Sequence, residues 1–216
     1  MKCALIILPK RFNGHELFVL LKVLKDHDIK FMLLSQDEVA VEEEGVFTPG
    51  GFRIKTHGIV FNFPVDELIK YSALIFVSGD LNDLEEYWNS NHITNLVKKA
   101  VDLNIVIGAV CVSIMNIHSI LKGRKSTSYE SLNFIERLVN TGATYVPLSV
   151  VIDGKLVTGE NTLSTQNWAE TIVSLILGKN PELNLQTEVG NITHRKRKAR
   201  KAIPALERLH RSEKDS

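Results

Sequence analysis

Ile105-Val106-Ile107-Gly108-Ala109-Val110-Cys111-Val112-Ser113 is the stretch from which the fold of this chain can be read. Its first six residues are a short, unbroken apolar run rich in β-branched side chains. That is the pattern of a strand buried on both faces in a parallel sheet. Cys111 follows at once, and the residues from Val112 to His118 can turn straight into a helix. Ala109 and Ser113, two before and two after the cysteine, are small, as a sharp strand-to-helix turn requires where flanking side chains crowd together. The layout is that of a nucleophile elbow with sulfur in place of a serine hydroxyl. Unpaired N–H groups and the positive dipole end of a helix at that point favour the thiolate. The same run also fits a buried structural cysteine closing a core strand, because free cysteine is among the most buried residue types.

Outward from this elbow, strands and helices alternate. Lys2–Leu8 reads as a first strand. Gly14–His27, with Leu17, Leu20, Leu21 and Leu24 at helical spacing, reads as an amphipathic helix. Lys30–Leu34 is a second strand. An irregular hairpin is expected between Ser35 and Asn62, where Thr48-Pro49-Gly50-Gly51 interrupts short apolar runs. Val65–Lys70 is a short helix, and Ala73-Leu74-Ile75-Phe76-Val77 is a third buried strand ending at Ser78-Gly79-Asp80. Ser90 can cap a helix reaching about Asp102, and Ser131–Asn140 is another. Asp153-Gly154 is a two-residue hairpin signal between Ser149–Ile152 and Lys155–Thr158. Thr162–Leu177 is the last long helix, and Gly178 can end it. This alternation predicts an α/β fold with a doubly wound, mostly parallel sheet flanked by helices. Ligand sites in such sheets lie beyond the carboxyl ends of the strands. Four loops should therefore converge there: Pro9–Glu16, Ser78–Asp80, Cys111 and Gly159–Thr162.

Composition narrows the function classes. A length of 216 residues suits one domain of roughly 180 residues plus an appendage. A hydrophobic content of 44% is enough for a real core. No run approaches the roughly 18 apolar residues of a membrane span, so no membrane contact is expected. The N-terminal Met1–Pro9 reads as a strand rather than a signal peptide. Two cysteines 108 positions apart do not form a disulfide framework and fit a reducing, cytoplasmic setting. No metal-ligand spacing or cofactor motif stands out, so neither a metal nor a cofactor is expected. The net charge of +1 hides an asymmetry, because residues from Lys179 onward carry +5 and the remainder −4.

In this order the pieces resemble the ThiJ/PfpI family, also called DJ-1/PfpI, within the class I glutamine amidotransferase-like, flavodoxin-like fold. The resemblance covers residues 2–178. It is carried by Ala4-Leu5-Ile6-Ile7-Leu8 with Gly14-His15-Glu16-Leu17, by Leu74-Ile75-Phe76-Val77-Ser78-Gly79-Asp80, and by Gly108-Ala109-Val110-Cys111-Val112-Ser113. Leu121-Lys122-Gly123-Arg124-Lys125-Ser126-Thr127-Ser128 and Asp153-Gly154-Lys155-Leu156-Val157-Thr158-Gly159 complete it.

The resemblance implies that Cys111 is a nucleophile or redox-sensitive thiol and that Glu16 is its acidic partner. The amides of Gly79 and Val112 would receive an oxyanion, with Ser78, Tyr129 and His15 lining the pocket. A carboxyl desolvated in such a pocket can stay protonated and exchange a proton with a bound substrate. Departures from the family pattern are equally specific. Val112 stands where protease-like members place a histidine, and Tyr129 where glyoxalase-like members often have one. Ser78-Gly79 replaces a glycine pair, and an arginine often found near the later hairpin is replaced around Glu160. His118, seven residues past Cys111, is too far along a helix to serve the sulfur. A cysteine–histidine peptidase is therefore not expected. Two readings follow. One is a small-molecule hydratase, hydrolase or glyoxalase-like enzyme acting on an electrophile. The other is a non-catalytic, redox-responsive or interaction protein. A homodimer is expected by analogy.

Residues 179–216 fall outside the resemblance. Asn180-Pro181 breaks the chain, and Arg195, Lys196, Arg197, Lys198, Arg200 and Lys201 form a basic cluster. Such a segment reads as a solvated extension, a patch for non-specific contact with nucleic-acid phosphates without sequence readout, or a protein contact. Ile203, Leu206 and Leu209 also allow a short amphipathic helix. The segment Asn191–Ser216 is expected to be dispensable for folding and for whatever Cys111 does.

Overall fold

The computed structural model describes residues 2–42 and 52–181. Its centre is a seven-stranded sheet. The strands are β1 (Cys3–Ile7), β2 (Lys30–Ser35), β3 (Gly58–Ile59), β4 (Ala73–Phe76), β5 (Val106–Val110), β6 (Val150–Asp153) and β7 (Leu156–Gly159), in the spatial order β6-β7-β5-β4-β1-β2-β3. All neighbours are parallel except β6, which pairs antiparallel with β7 through the turn at Asp153-Gly154. Without the two edge strands, the parallel core runs β2-β1-β4-β5-β7. That is the 2-1-3-4-5 order of flavodoxin-like sheets, and its switch point lies between β1 and β4.

The sheet is buried on both faces, which explains why its strands read as continuous apolar runs. Alternate residues along β1 serve opposite layers. Leu5 and Ile7 join one core with Leu74, Phe76, Ile107 and the residues of the helix after Cys111. Ala4, Ile6 and Leu8 join the other with Leu17, Leu20, Trp168 and Ile172. Each fully buried aliphatic side chain contributes roughly 1.5–3 kcal/mol. Helices α1 (Gly14–Asp26) and α5 (Thr165–Ile176) cover the second face and pack side by side, while α3 (Asn91–Asp102) covers the first. Gly108 lets α5 approach closely, because a Cβ there would lie 2.5 Å from Ile172 Cδ1.

The predicted elements are present with local differences. Ser90 and Ser131 cap α3 and α4 (Leu132–Asn140) as their side chains predict. The hairpin expected between Ser35 and Asn62 pairs Val39–Glu42 antiparallel with Arg53–Lys55, and its tip at Thr48-Pro49-Gly50-Gly51 lies outside the described residues. One helix, α2 (Leu81–Trp88), was not expected. Asp80 explains it: its Oδ1 accepts the N–H groups of Asn82 and Asp83, which caps the helix. No helix among the described residues is long and apolar enough to cross a membrane. The basic cluster and the possible helix after it lie outside the described residues.

Candidate active site

Cys111 sits at the carboxyl end of β5, where the strand turns into a 3-10 helical stretch, Cys111–Ile120. Its φ is +59°. Three non-glycine residues have positive φ among those described, and the other two are Asp28 and Asn104. Asp and Asn visit the left-handed region with little penalty, whereas a cysteine is held there only by its surroundings. Ser113 supplies that restraint. Its buried hydroxyl accepts the Val110 N–H at 3.0 Å and reaches the carbonyls of Val110 and Phe76 at 2.7 and 3.0 Å. One side chain thus ties the elbow to its own strand and to the end of β4. The sequence singled out Ser113 for its size, and its hydroxyl is the further signal. Half-buried Cys111 touches both core layers, as the end of a central strand should.

Glu16 is completely buried in the first turn of α1. Asn13 starts that helix, its Oδ1 accepting the Glu16 N–H at 3.1 Å. Glu16 Oε2 accepts two bonds from Ser78, the backbone N–H at 2.9 Å and the hydroxyl at 2.6 Å. Oε1 accepts the Thr162 hydroxyl at 3.3 Å, and Thr162 Oγ1 in turn accepts from Asn13 Nδ2 at 3.2 Å. Three of the four predicted loops are therefore joined directly: Glu16 follows β1, Ser78 follows β4 and Thr162 follows β7. The strand between β4 and β7 is β5, whose end is Cys111. A backbone N–H can only donate, so Oε2 is committed as an acceptor. Oε1 is the oxygen better suited to carry a proton.

Gly79 is fixed by close approach of the first loop. It bridges antiparallel to Phe12, through Asn13 N–H to Ser78 O at 2.8 Å and Asp80 N–H to Arg11 O at 2.9 Å. A Cβ at Gly79 would collide with the Arg11 carbonyl and lie 2.8 Å from Phe12 Cα. The bridge does not use the Gly79 N–H. The Arg11 guanidinium adds bonds of 2.9–3.0 Å to Asp80 and Asp83, clamping the loop onto the start of α2.

The other sequence-predicted residues are placed as follows. Val112 is buried at the start of the elbow helix. His15 is half-buried beside Glu16 in α1. Tyr129 is 45% exposed, its ring edge-on to Phe134 at 6.3 Å. His118 Nδ1 lies 3.0 Å from the Met115 carbonyl, so its ring is engaged on its own helix. The stretch is kinked at Ile117, whose backbone leaves helical geometry just before His118. Asn13, Thr162 and the buried Glu160 were not singled out as site residues. Glu160 Oε2 accepts from Asn161 Nδ2 at 3.2 Å. Among the described residues no group of three or more His, Cys, Asp or Glu could hold a metal ion.

The second cysteine has a different setting. Cys3 is half-buried at the amino end of β1, and burial pushes its thiol pKa up, with Lys30 acting in the opposite direction.

Comparison with known proteins places these features in context. The DJ-1/PfpI family profile matches residues 2–175. An uncharacterized protein of Methanocaldococcus jannaschii is 30% identical over 162 residues, covering 74% of this chain and 75% of that one. Protein DJ-1 homolog B of Arabidopsis thaliana is 29% identical over 131 residues, which span 59% of this chain and 29% of the plant protein. Among solved structures, a two-domain protein of Anabaena variabilis with DJ-1/ThiJ/PfpI-like and ferritin-like domains superposes with a TM-score of 0.72 at 17% identity. The match covers 85% of this chain and 51% of that one.

Proposed function

Since the chain belongs to the DJ-1/PfpI family, we propose that Cys111 is a reactive thiol acting on small electrophilic carbonyl compounds, with Glu16 as its proton donor and acceptor. The left-handed backbone of Cys111 is the observation that carries this reading, since a core cysteine with no task has no need of it. The buried Glu16 carboxyl, held among the loops after β1, β4 and β7, supports it. With a 2-oxoaldehyde, Sγ adds to the aldehyde carbon and the π pair moves to oxygen. The N–H groups of Gly79 and Val112 receive that oxyanion, and the Glu16 Oε1 proton neutralises it to a hemithioacetal. The Glu16 carboxylate then removes the proton from the former aldehyde carbon to give an enediol and returns it to the adjacent carbon. The hemithioacetal hydroxyl proton passes to the adjacent oxygen, leaving the thioester of a 2-hydroxy acid. Water hydrolyses this to a 2-hydroxy acid and the free thiol. Following methylglyoxal by NMR tests the reading. Wild type should form lactate, Cys111→Ser should form none, and Glu16→Gln should be slowed about 100-fold. Lactate formation by Cys111→Ser at the wild-type rate would refute it.

The missing histidines favour a second reading, because Val112 and Tyr129 stand where relatives place a base. Cys111 would then be a redox-responsive thiol, oxidised by peroxide to the sulfenic acid with water released, and no lactate would form. Peptidase activity belongs to neither reading. A homodimer, a cytoplasmic setting and a core of residues 1–178 with a phosphate- or protein-binding tail at 179–216 complete the proposal by family analogy and composition.

A further inference from the structure

The amino end of the sheet, opposite Cys111, holds a cavity of about 180 Å³. Ile105 and Ile107 at the start of β5, Leu156 on β7 and Ile120 at the end of the elbow helix give it one apolar side, and Asn104, Arg124 and Lys155 give it a polar one. The two cations are poorly matched by acids. The Arg124 side chain is only 33% exposed, yet its pair with Asp153 Oδ1 is long, at 3.9 Å. The other oxygen of that carboxylate is engaged by the Lys125 N–H at 2.8 Å. Lys155 makes no ion pair among the described residues. Positive charge beside apolar walls without a close counter-ion is an arrangement that an anion completes.

Size and lining select the anion. An apolar cavity of ~150 Å³ accommodates a benzene ring, so this one suits a single ring or a short branched chain with a carboxylate attached. A compact, strongly hydrated anion such as phosphate gains nothing from the isoleucine walls. We propose that this cavity binds a small apolar monocarboxylate, its hydrocarbon part against Ile105, Ile107 and Ile120 and its carboxylate at Arg124 and Lys155. Arg124 suits the role, since a guanidinium can hold a carboxylate through two parallel bonds. Ile107 lies on the strand that ends in Cys111, and Ile120 closes the stretch that begins there. The occupant therefore touches the elbow unit from its far side without entering the candidate active site.

The test titrates full-length protein with benzoate, benzamide and inorganic phosphate, following backbone amide NMR shifts. Benzoate should bind saturably with a roughly millimolar Kd, with shifts centred on Ile105, Ile107, Lys155 and Leu156. Benzamide should bind about tenfold more weakly, and phosphate should leave these amides unmoved. Arg124→Met and Lys155→Met, which keep the apolar stems, should each weaken benzoate about fivefold. Cys111→Ser should bind it as wild type does, so the outcome is independent of the chemistry proposed for the thiol. Equal affinity for benzoate and benzamide, unchanged affinity in both Met variants, or no saturable shift at these residues would overturn the proposal.

Discussion

The two ends of this sheet each hold a cysteine, and they are built by opposite rules. At the amino end, Cys3 enters β1 in ordinary extended backbone, and burial favours its neutral thiol. At the carboxyl end, Cys111 occupies a left-handed conformation, clamped by Ser113 and flanked by loops that converge on a buried carboxyl. The residue type is the same, and its place on the strand decides the environment. Amino ends are joined by tight turns that have only to close the chain, whereas carboxyl ends lead into longer loops that can be aimed at one another. The left-handed cysteine and the buried Glu16 carboxyl both lie at the end where the loops meet.

The contrast can be broken most forcefully at Gly79. Gly79→Ala forces a Cβ into the Arg11 carbonyl and should cost about 3 kcal/mol in chemical denaturation. Gly154→Ala, at the amino end, meets no atom within 4 Å and strains only its φ of +64°, so it should cost about 1 kcal/mol. Equal losses would mean that the carboxyl-end loops are not specially close-packed.

Ser113→Ala comes next. It leaves the Val110 N–H without its side-chain acceptor and should cost about 1–3 kcal/mol. It should also change the alkylation rate of Cys111 while leaving that of Cys3 unchanged. A variant of wild-type stability and reactivity would show that the turn holds itself. Ser78→Gly removes one of two donors to Glu16 Oε2 while keeping the backbone N–H. A loss of about 1 kcal/mol is expected. A larger loss than Ser113→Ala would reverse the ranking.

The smallest effect belongs to Cys3 and appears only in alkali. Its folded pKa is raised above the ordinary 9.0, so the folded state holds its proton where the unfolded state has lost it. Stability therefore falls as pH rises past about 9 and levels off above the folded pKa. Cys3→Ala should flatten part of that decline in denaturation midpoints taken between neutral and alkaline pH. An unchanged slope would mean that Cys3 is no more protected than an exposed thiol.

Much of this contrast was legible in the sequence, for reasons that can be named. Runs such as Ile105–Val110 and Ala73–Val77 are unbroken because both sheet faces are covered, and that regularity made the buried strands and the doubly wound class readable. The elbow was readable because its small flanking residues are a local requirement. The Thr162–Glu16 and Ser113–Phe76 bonds join residues 146 and 37 positions apart, and no spacing rule reaches that far. Thr162 and Asn13 are ordinary loop and cap residues until the sheet order brings them together. Helix α2 was missed because its start depends on Asp80, which stood inside a glycine loop already assigned to the site. His118 was discounted on the geometry of a regular α-helix, whereas the stretch after Cys111 is 3-10 and kinked at Ile117, which no spacing rule foretells.

Site-resolved alkylation across pH tests the central claim most directly. Wild type and Glu16→Gln would be labelled with iodoacetamide from pH 5 to about pH 9, the ordinary range over which a perturbed thiol titrates, and mapped by peptide mass spectrometry. Cys111 should label faster than Cys3 throughout, and Glu16→Gln should displace the Cys111 profile while leaving that of Cys3 in place. Preferential labelling of Cys3, or superimposable Cys111 profiles in the two proteins, would contradict the account.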